Sequence, residues 1–227
     1  MNTFSLTRAA QAGAGFSALC AVAIVILPTA AVAQETALDE ITVTAQKREE
    51  SALEVPVTVD VFSAKDIEET GALNLAEMQD FIPGFEVGDN PTQASITIRG
   101  VSSANISTGG DPSVATFYDG IYGPRAATTA SFTDLQRVEV LKGPQGTLYG
   151  RNAAAGVVNL VPNRPGPDNG GFIKTRLGNY ELSRFEIMCN YAISENFFVR
   201  ANVLTNRRDG YLENLVPGER NGGEQNN

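Results

Sequence analysis

The spacing of apolar positions changes character along the chain, and each change marks an element or a boundary. Phe16 to Leu27 is an unbroken apolar run of twelve residues closed by Pro28. A helix of that length, rising about 1.5 Å per residue, falls short of a hydrocarbon core of roughly 30 Å. The run therefore reads as the centre of a secretory signal peptide rather than as an anchor. Arg8 supplies its only charge, and Ala31-Val32-Ala33 supplies small residues where processing is expected, so residues 1–33 form the leader. Cys20 lies inside the run behind Leu19 and is expected to leave with it.

Residues 34–52 are polar except where Ile41, Val43 and Ala45 alternate with Thr42 and Thr44, the period-two pattern of a strand. Lys47-Arg48-Glu49-Glu50 follows as a solvated hinge. Such a strand either edges the next domain or waits for a partner's sheet, and the pattern alone leaves both open.

Residues 53–165 carry a compact mixture of short elements. Val57–Phe62 is strand-like. Ser63 with Asp66 three residues on opens a helix that Gly71 closes, and Asn74 with Glu77 opens another that stops near Pro83-Gly84. Short strands are expected at Phe85–Val87, Ser95–Arg99, Val114–Tyr118, Val138–Leu141 and Val157–Val161. Thr133-Asp134-Leu135-Gln136 has capping-box spacing and predicts a brief helical turn before the Val138 strand. Ser102–Pro112 and Gly123–Ser131 are loops of small and polar residues.

Residues 166–227 have longer alternation. Phe185, Ile187, Cys189, Tyr191 and Ile193 share one face of a segment whose other face carries Arg184, Glu186 and Asn190. Phe197, Val199, Ala201 and Val203 likewise oppose Arg200, Asn202 and Asn206, and Ile173 and Leu177 oppose Lys174 and Arg176. Segments of about ten residues with one apolar face suit transmembrane barrel strands, and in an exported chain they favour a barrel over a soluble hairpin sheet. The fold class is thus α+β.

Composition then narrows the chemistry. With 17 basic and 26 acidic residues the net charge is −9, which disfavours binding to nucleic-acid phosphates. The chain has no histidine, which removes histidine-based triads and zinc sites, and only two cysteines, Cys20 and Cys189. Composition leaves carboxylate chemistry or no chemistry at all, and no metal site, cofactor or catalytic residue is assigned. Gly143-Pro144-Gln145-Gly146 fails the phosphate-loop pattern and reads as a tight turn.

Three stretches together resemble the TonB-dependent outer-membrane receptors. These are Glu40-Ile41-Thr42-Val43-Thr44-Ala45, Ile96-Thr97-Ile98-Arg99-Gly100-Val101, and the long run from Arg137-Val138-Glu139-Val140-Leu141-Lys142-Gly143-Pro144-Gln145-Gly146 through Asn152, continuing to Arg164-Pro165. The resemblance implies a small mixed-sheet plug domain (53–165), followed by the first antiparallel strands (166–227) of an incomplete 22-stranded outer-membrane β-barrel. It implies that Glu40, Ile41, Thr42, Val43, Thr44 and Ala45 form the TonB box, presented to the periplasmic C-terminal domain of TonB. It also implies that Arg99 and Lys142 pair with acids on the inner barrel wall. Ser102, Ser103, Asn105 and Arg125 fall in loops that face the imported ligand, whether ferric siderophore, corrinoid or carbohydrate. The complete receptor would sit in outer-membrane lipid of a Gram-negative bacterium. Since three strands cannot close a barrel, the chain is expected to be a fragment. Two competing readings are a soluble periplasmic plug-like binding or adaptor module and, more remotely, a carboxylate glycosidase.

Overall fold

The computed structural model describes residues 42–44, 47–48, 50–88, 94–103, 110–125, 131–210 and 225–226. The expected leader, Glu40, Ile41, Ala45, Asn105 and residues 211–224 lie outside the described residues. Strands β1 (Thr42–Val43) and β2 (Glu50–Ser51) form a small antiparallel pair, and β3 (Thr58–Ser63) runs directly into helix α1 (Ala64–Thr70). Helix α2 (Leu75–Met78) tightens into a 3-10 turn over Gln79–Phe81 and leads to the hairpin of β4 (Phe85–Gly88) and β5 (Ser95–Ile98). Strands β6 (Val114–Tyr118), β7 (Ile121–Gly123) and β8 (Leu135–Lys142) follow, then α3 (Gly146–Tyr149) and β9 (Gly156–Pro162). The remaining strands are β10 (Gly170–Gly178), β11 (Leu182–Ser194), β12 (Phe197–Arg208) and β13 (Gln225–Asn226).

Two sheets organise the molecule. The first has order β3-β8-β9-β6-β7, with β6 parallel to β9 and every other neighbour antiparallel, so it is mixed. The second is the antiparallel meander β10-β11-β12-β13. The mixed sheet is covered on both faces, which explains the unbroken burial of β8 from Val138 to Lys142 and of β9 from Gly156 to Leu160. On one face Val138, Val140, Val158 and Leu160 pack with Leu75, Met78, Ile82, Phe85 and Ile98. On the other, Leu141, Val157, Ala115 and Phe117 pack with Val55, Ala153 and Val43. Burying a side chain the size of Val43 stabilises by roughly 1.5–3 kcal/mol.

The helix signals hold where they are local. Ser63 caps α1, its hydroxyl accepting from the Asp66 N–H while the Asp66 carboxylate accepts from the Ser63 N–H at 2.8 Å. Gly71 ends α1 at φ 72°. The Asn74 side chain accepts from the Glu77 N–H, but Glu77 turns to the Leu73 N–H instead of returning the bond. In the Gly-Pro turn, Gly143 has φ 119°, whereas Gly146 opens α3 and the second left-handed position is Gly150 at φ 88°. Gly156 answers a different need, because a Cβ there would lie 2.3 Å from the Leu141 carbonyl oxygen.

One expected element is absent. Residues 133–136 form no helical turn, since β8 already begins at Leu135 and Asp134 takes φ 44°. The Thr133 hydroxyl and the Asp134 carboxylate bond to the meander instead, so tertiary partners outcompete the local cap. Strand β7 and helix α3 are too short for periodicity to reveal.

The meander has the two faces its alternation predicts. Ile173, Leu177, Phe185, Ile187, Tyr191, Ile193, Val199 and Val203 are exposed, while Arg184, Glu186, Asn190 and Asn206 are buried on the other side. The register places Lys174 opposite Glu186, and Arg176 opposite Arg184. A single irregularity between Ala192 and Ser194 precedes the turn into β12.

Candidate functional site

The segment Thr42–Thr44 is not a free tail. Val43 is wholly buried in the socket of Val55, Ala115, Phe117, Leu141, Ala153 and Val157. Its strand pairs with β2, matching Val43 to Glu50. Thr44 then sits on a polar centre in the middle of the mixed sheet. The Thr44 N–H donates to Glu139 Oε1 at 2.8 Å, and its hydroxyl lies 3.0 Å from each carboxylate oxygen. The Thr44 carbonyl accepts from the Tyr149 hydroxyl at 3.0 Å and from the Lys47 N–H at 2.9 Å.

Glu139 can be buried without solvent because its neighbours supply the missing donors. Arg137 Nε donates to it at 2.7 Å and Asn159 Nδ2 at 3.2 Å. The register explains the cluster, since Glu139 faces Asn159 directly across β8 and β9. Asn159 also donates to the Tyr149 oxygen at 3.1 Å. Burial raises the Tyr149 pKa above the usual phenol range, partly offset by the Asn159 bond, with the Glu139 charge adding to the rise. The hydroxyl is thereby held as a donor to Thr44. Lys47 Nζ stands 5.5 Å from the centre of the same ring.

The two plug cations expected to pair with acids of the barrel wall behave differently. Arg99 and Gly100, at φ 51° and 77°, make the turn that brings Val101 back onto Ile98. The Arg99 N–H donates to the Gly84 carbonyl at 2.7 Å, its side chain is exposed, and among the described residues it makes no ion pair. Lys142 is buried and bound within its own domain, paired with Asp60 of β3 and donating to the Pro83 carbonyl at 2.7 Å. Thr58 lies opposite Lys142, which puts Asp60 at the diagonal same-face position within a lysine's reach. Among the described residues neither forms an ion pair with β10–β12.

Another set of residues fastens the mixed sheet to the meander, and its polarity is the reverse of the expected one. Arg200 grips the Asp134 carboxylate with two bonds, at 2.5 and 2.6 Å. Glu186 Oε1 accepts from the Asp134 N–H at 3.1 Å and the Thr133 hydroxyl at 3.2 Å, and Arg184 donates to the Phe132 carbonyl. Further along, Lys174 bonds Glu68 at 2.6 Å, Arg176 donates to the Gly71 carbonyl at 2.9 Å, and Arg208 stands 3.5 Å from Glu77. The Lys174 bond, followed by its charge, holds the Glu68 pKa below the usual carboxylate range. Here the meander's cations meet acids and carbonyls of the mixed domain, while its acid in the seam, Glu186, accepts from donors of Thr133 and Asp134. The signal for this was the charged inner face of the strands, because inward charges need partners. A cavity of about 690 Å³ separates α1 from this wall.

Of the residues expected near the ligand, Ser102 is exposed and Ser103 half-buried. Arg125 is buried and ties its loop to the neighbouring one by donating to the Asp111 carbonyl at 2.8 Å. Arg151 stands 3.4 Å from the Asp111 carboxylate. Among the described residues no group of three or more acidic or cysteine side chains is placed to hold a metal ion.

Residues 51–157 match the family described as the TonB-dependent receptor plug domain. The pesticin receptor of Yersinia pestis is 31% identical over 199 residues, covering 85% of this chain and 29% of the relative. The vitamin B12 transporter BtuB of Vibrio vulnificus is 34% identical over 149 residues, covering 62% of this chain and 23% of that protein. The crystal structure of the ferric yersiniabactin uptake receptor FyuA from Yersinia pestis superposes with a TM-score of 0.68 at 29% identity, covering 74% of this chain and 27% of that one. The ferripyoverdine receptor of Pseudomonas aeruginosa shares the fold, with a TM-score of 0.65 at 21% identity and coverage of 76% and 23%. The chain therefore spans less than a third of the length of the curated relatives it matches.

Proposed function

The chain belongs to the TonB-dependent receptors, and from that premise we propose that it forms the gate and energy-coupling end of an outer-membrane importer. One observation carries this reading: the mixed-sheet domain is fastened to the polar face of an amphipathic meander whose apolar face is exposed. An exposed apolar wall of this size needs lipid against it, and a polar inner face needs a filling. Residues 53–165 then act as the plug, and residues 166–227 as the first strands of the surrounding wall. The same exposed face counts against a periplasmic module that works without a barrel. The named relatives are receptors and transporters, which supports transport rather than catalysis.

In this reading Glu40–Ala45 is the TonB box, adding to the sheet edge of TonB's periplasmic domain through main-chain bonds. Export by residues 1–33 delivers the chain to the outer membrane of a Gram-negative bacterium. The cargo is a scarce ligand of the ferric siderophore or cobalamin type, the two classes named among the relatives. It would meet the loops around Ser102, Ser103, Asn105 and Arg125. Arg99 and Lys142 belong to the plug's internal scaffold and, in this proposal, help to hold it in place.

The test is a cysteine at Thr42, an exposed box position, crosslinked to TonB in cells producing the receptor. Crosslinking that rises when a ferric siderophore or cobalamin is added is the expected result. No crosslink under either ligand class would overturn the coupling role.

A further inference from the structure

Two side chains hold Thr44, and they stand on different supports. Glu139 belongs to β8, which has a strand on each side, so its carboxylate is a fixed post. Tyr149 belongs to α3, a four-residue helix with no buried residue, set between Gly143 and Gly150 in left-handed conformations. So short a helix makes few bonds of its own, and its orientation depends on what its side chains touch. The Tyr149 ring meets Phe117 edge-on at 5.1 Å, and Phe117 meets Tyr122 edge-on at 5.7 Å. Tyr122 lies in β7, the edge strand of the mixed sheet, and a second bond joins its hydroxyl to Asn152 Nδ2 at 2.9 Å. Three rings thus form a ladder from the sheet edge to the carbonyl of Thr44.

We propose that Tyr149 is a positioning residue that couples the β6–β7 hairpin to the docking of the box. Glu139 sets where the box sits, and Tyr149 sets how firmly, according to the support it receives through Phe117 and Tyr122. Phe117 is the rung between the two tyrosines, buried to 7% exposure. When β7 shifts, the edge-on contacts are lost, the α3 ring tilts, and its hydroxyl leaves the Thr44 carbonyl. The Thr44 groups held here are its main-chain N–H and carbonyl, which strand addition to a partner would also use, so docking here and pairing elsewhere exclude one another. The proposal rests on reading Glu40–Ala45 as the TonB box, but its test involves neither TonB nor a ligand.

The experiment uses the full chain in detergent micelles, with Val43→Cys as the reporter and Cys20 and Cys189 replaced by serine. Val43 is wholly buried, so labelling of its thiol by a maleimide requires undocking. Loss of one net hydrogen bond changes such an equilibrium by about fivefold, and Tyr149→Phe is expected to raise the labelling rate by about that much. Glu139→Gln should raise it further. The deciding arms are double-mutant cycles. Tyr122→Leu, at the exposed edge and outside the Val43 socket, should raise labelling in the parent and again in the Glu139→Gln background. In the Tyr149→Phe background it should add less than about twofold, because the ladder acts through the hydroxyl already removed. Phe117→Leu also loosens the Val43 socket directly and should raise labelling in all three backgrounds. Full multiplication in both backgrounds would overturn the coupling, and no effect of Tyr149→Phe would overturn the clasp itself. If the cycle holds and TonB crosslinking at residue 42 fails, the clasp stands and the box reading falls.

Discussion

Asp134 shows how much a single side chain can decide in this molecule. Its φ of 44° lies in the left-handed region, which aspartate and asparagine tolerate better than most residues. That conformation aims the carboxylate at Arg200 while its N–H reaches Glu186, and Asn163 Nδ2 closes the third side at 2.9 Å. The ion pair is largely sequestered, with the two side chains 17% and 9% exposed. Removing one charge from such a pair costs more than the pair contributes, because the other is left unpaired in a poor solvent. Asp134→Asn keeps the shape and the backbone preference, so its cost isolates the charge. We expect a loss of about 2–4 kcal/mol for this variant. Asp134→Asn combined with Arg200→Met should lose less than the single change. Denaturant unfolding of the three proteins in detergent checks the order, and an equal or larger loss in the double variant would contradict it.

Helix α1 is the element most dependent on its ends. It has no fully buried residue; beyond Ile67, which packs partly buried against the core, it rests on the Ser63–Asp66 cap, Gly71 and two bonds from the wall strand β10. Both acids involved titrate below their usual range, Asp66 through its bonds to Ser63 and Glu68 through the Lys174 bond. A carboxylate with a depressed folded pKa contributes stability above its unfolded pKa, of about 4 for these acids, and loses it as pH falls through the lower folded value. Amide protection in α1 should therefore be flat from neutral pH down to about 5 and fall only below the ordinary carboxylate range. Lys174→Gln should return the Glu68 titration toward its ordinary value without moving Asp66, as followed by carboxyl NMR shifts. Movement of both would mean that the two ends are not independent. This helix was legible in the sequence because its signals are local, and so were the strands with clear alternation. The misread turn at Thr133-Asp134 has the same spacing as a true cap, and only partners 52 to 69 residues away tell the two apart. The docking of Val43 was equally hidden, since its socket is assembled from β6, β8 and β9 together with residues on their connections. The polar faces of β10–β12 were visible in the pattern, but the partner of each charge was not.

At the scale of the whole molecule, the seam between plug and wall contains two kinds of contact, and ionic strength should separate them. Near α1 the Lys174–Glu68 pair is more than half exposed on both sides and borders the cavity. At the root of β8 the Asp134–Arg200 pair is shielded and geometrically bidentate. Salt shortens the screening length from about 30 Å at 0.01 M to about 3 Å at 1 M, and it acts on exposed pairs far more than on shielded ones. The β3–α1 segment is an edge of the mixed sheet, joined to it through β8 alone. It is also the part of the plug sheet nearest in sequence to residues 42–44. The expected outcome of hydrogen exchange at low and high salt is a selective loss of protection in α1, with the β8 amides unchanged. Charge reversal supplies the control: Lys174→Glu sets two carboxylates against each other, so added salt should then protect α1 rather than loosen it, and Glu68→Lys in the same chain should restore the original response. Equal loosening of α1 and β8 would mean that the seam behaves as one body. Selective loosening would make the wall cations near α1 the weaker end of the seam.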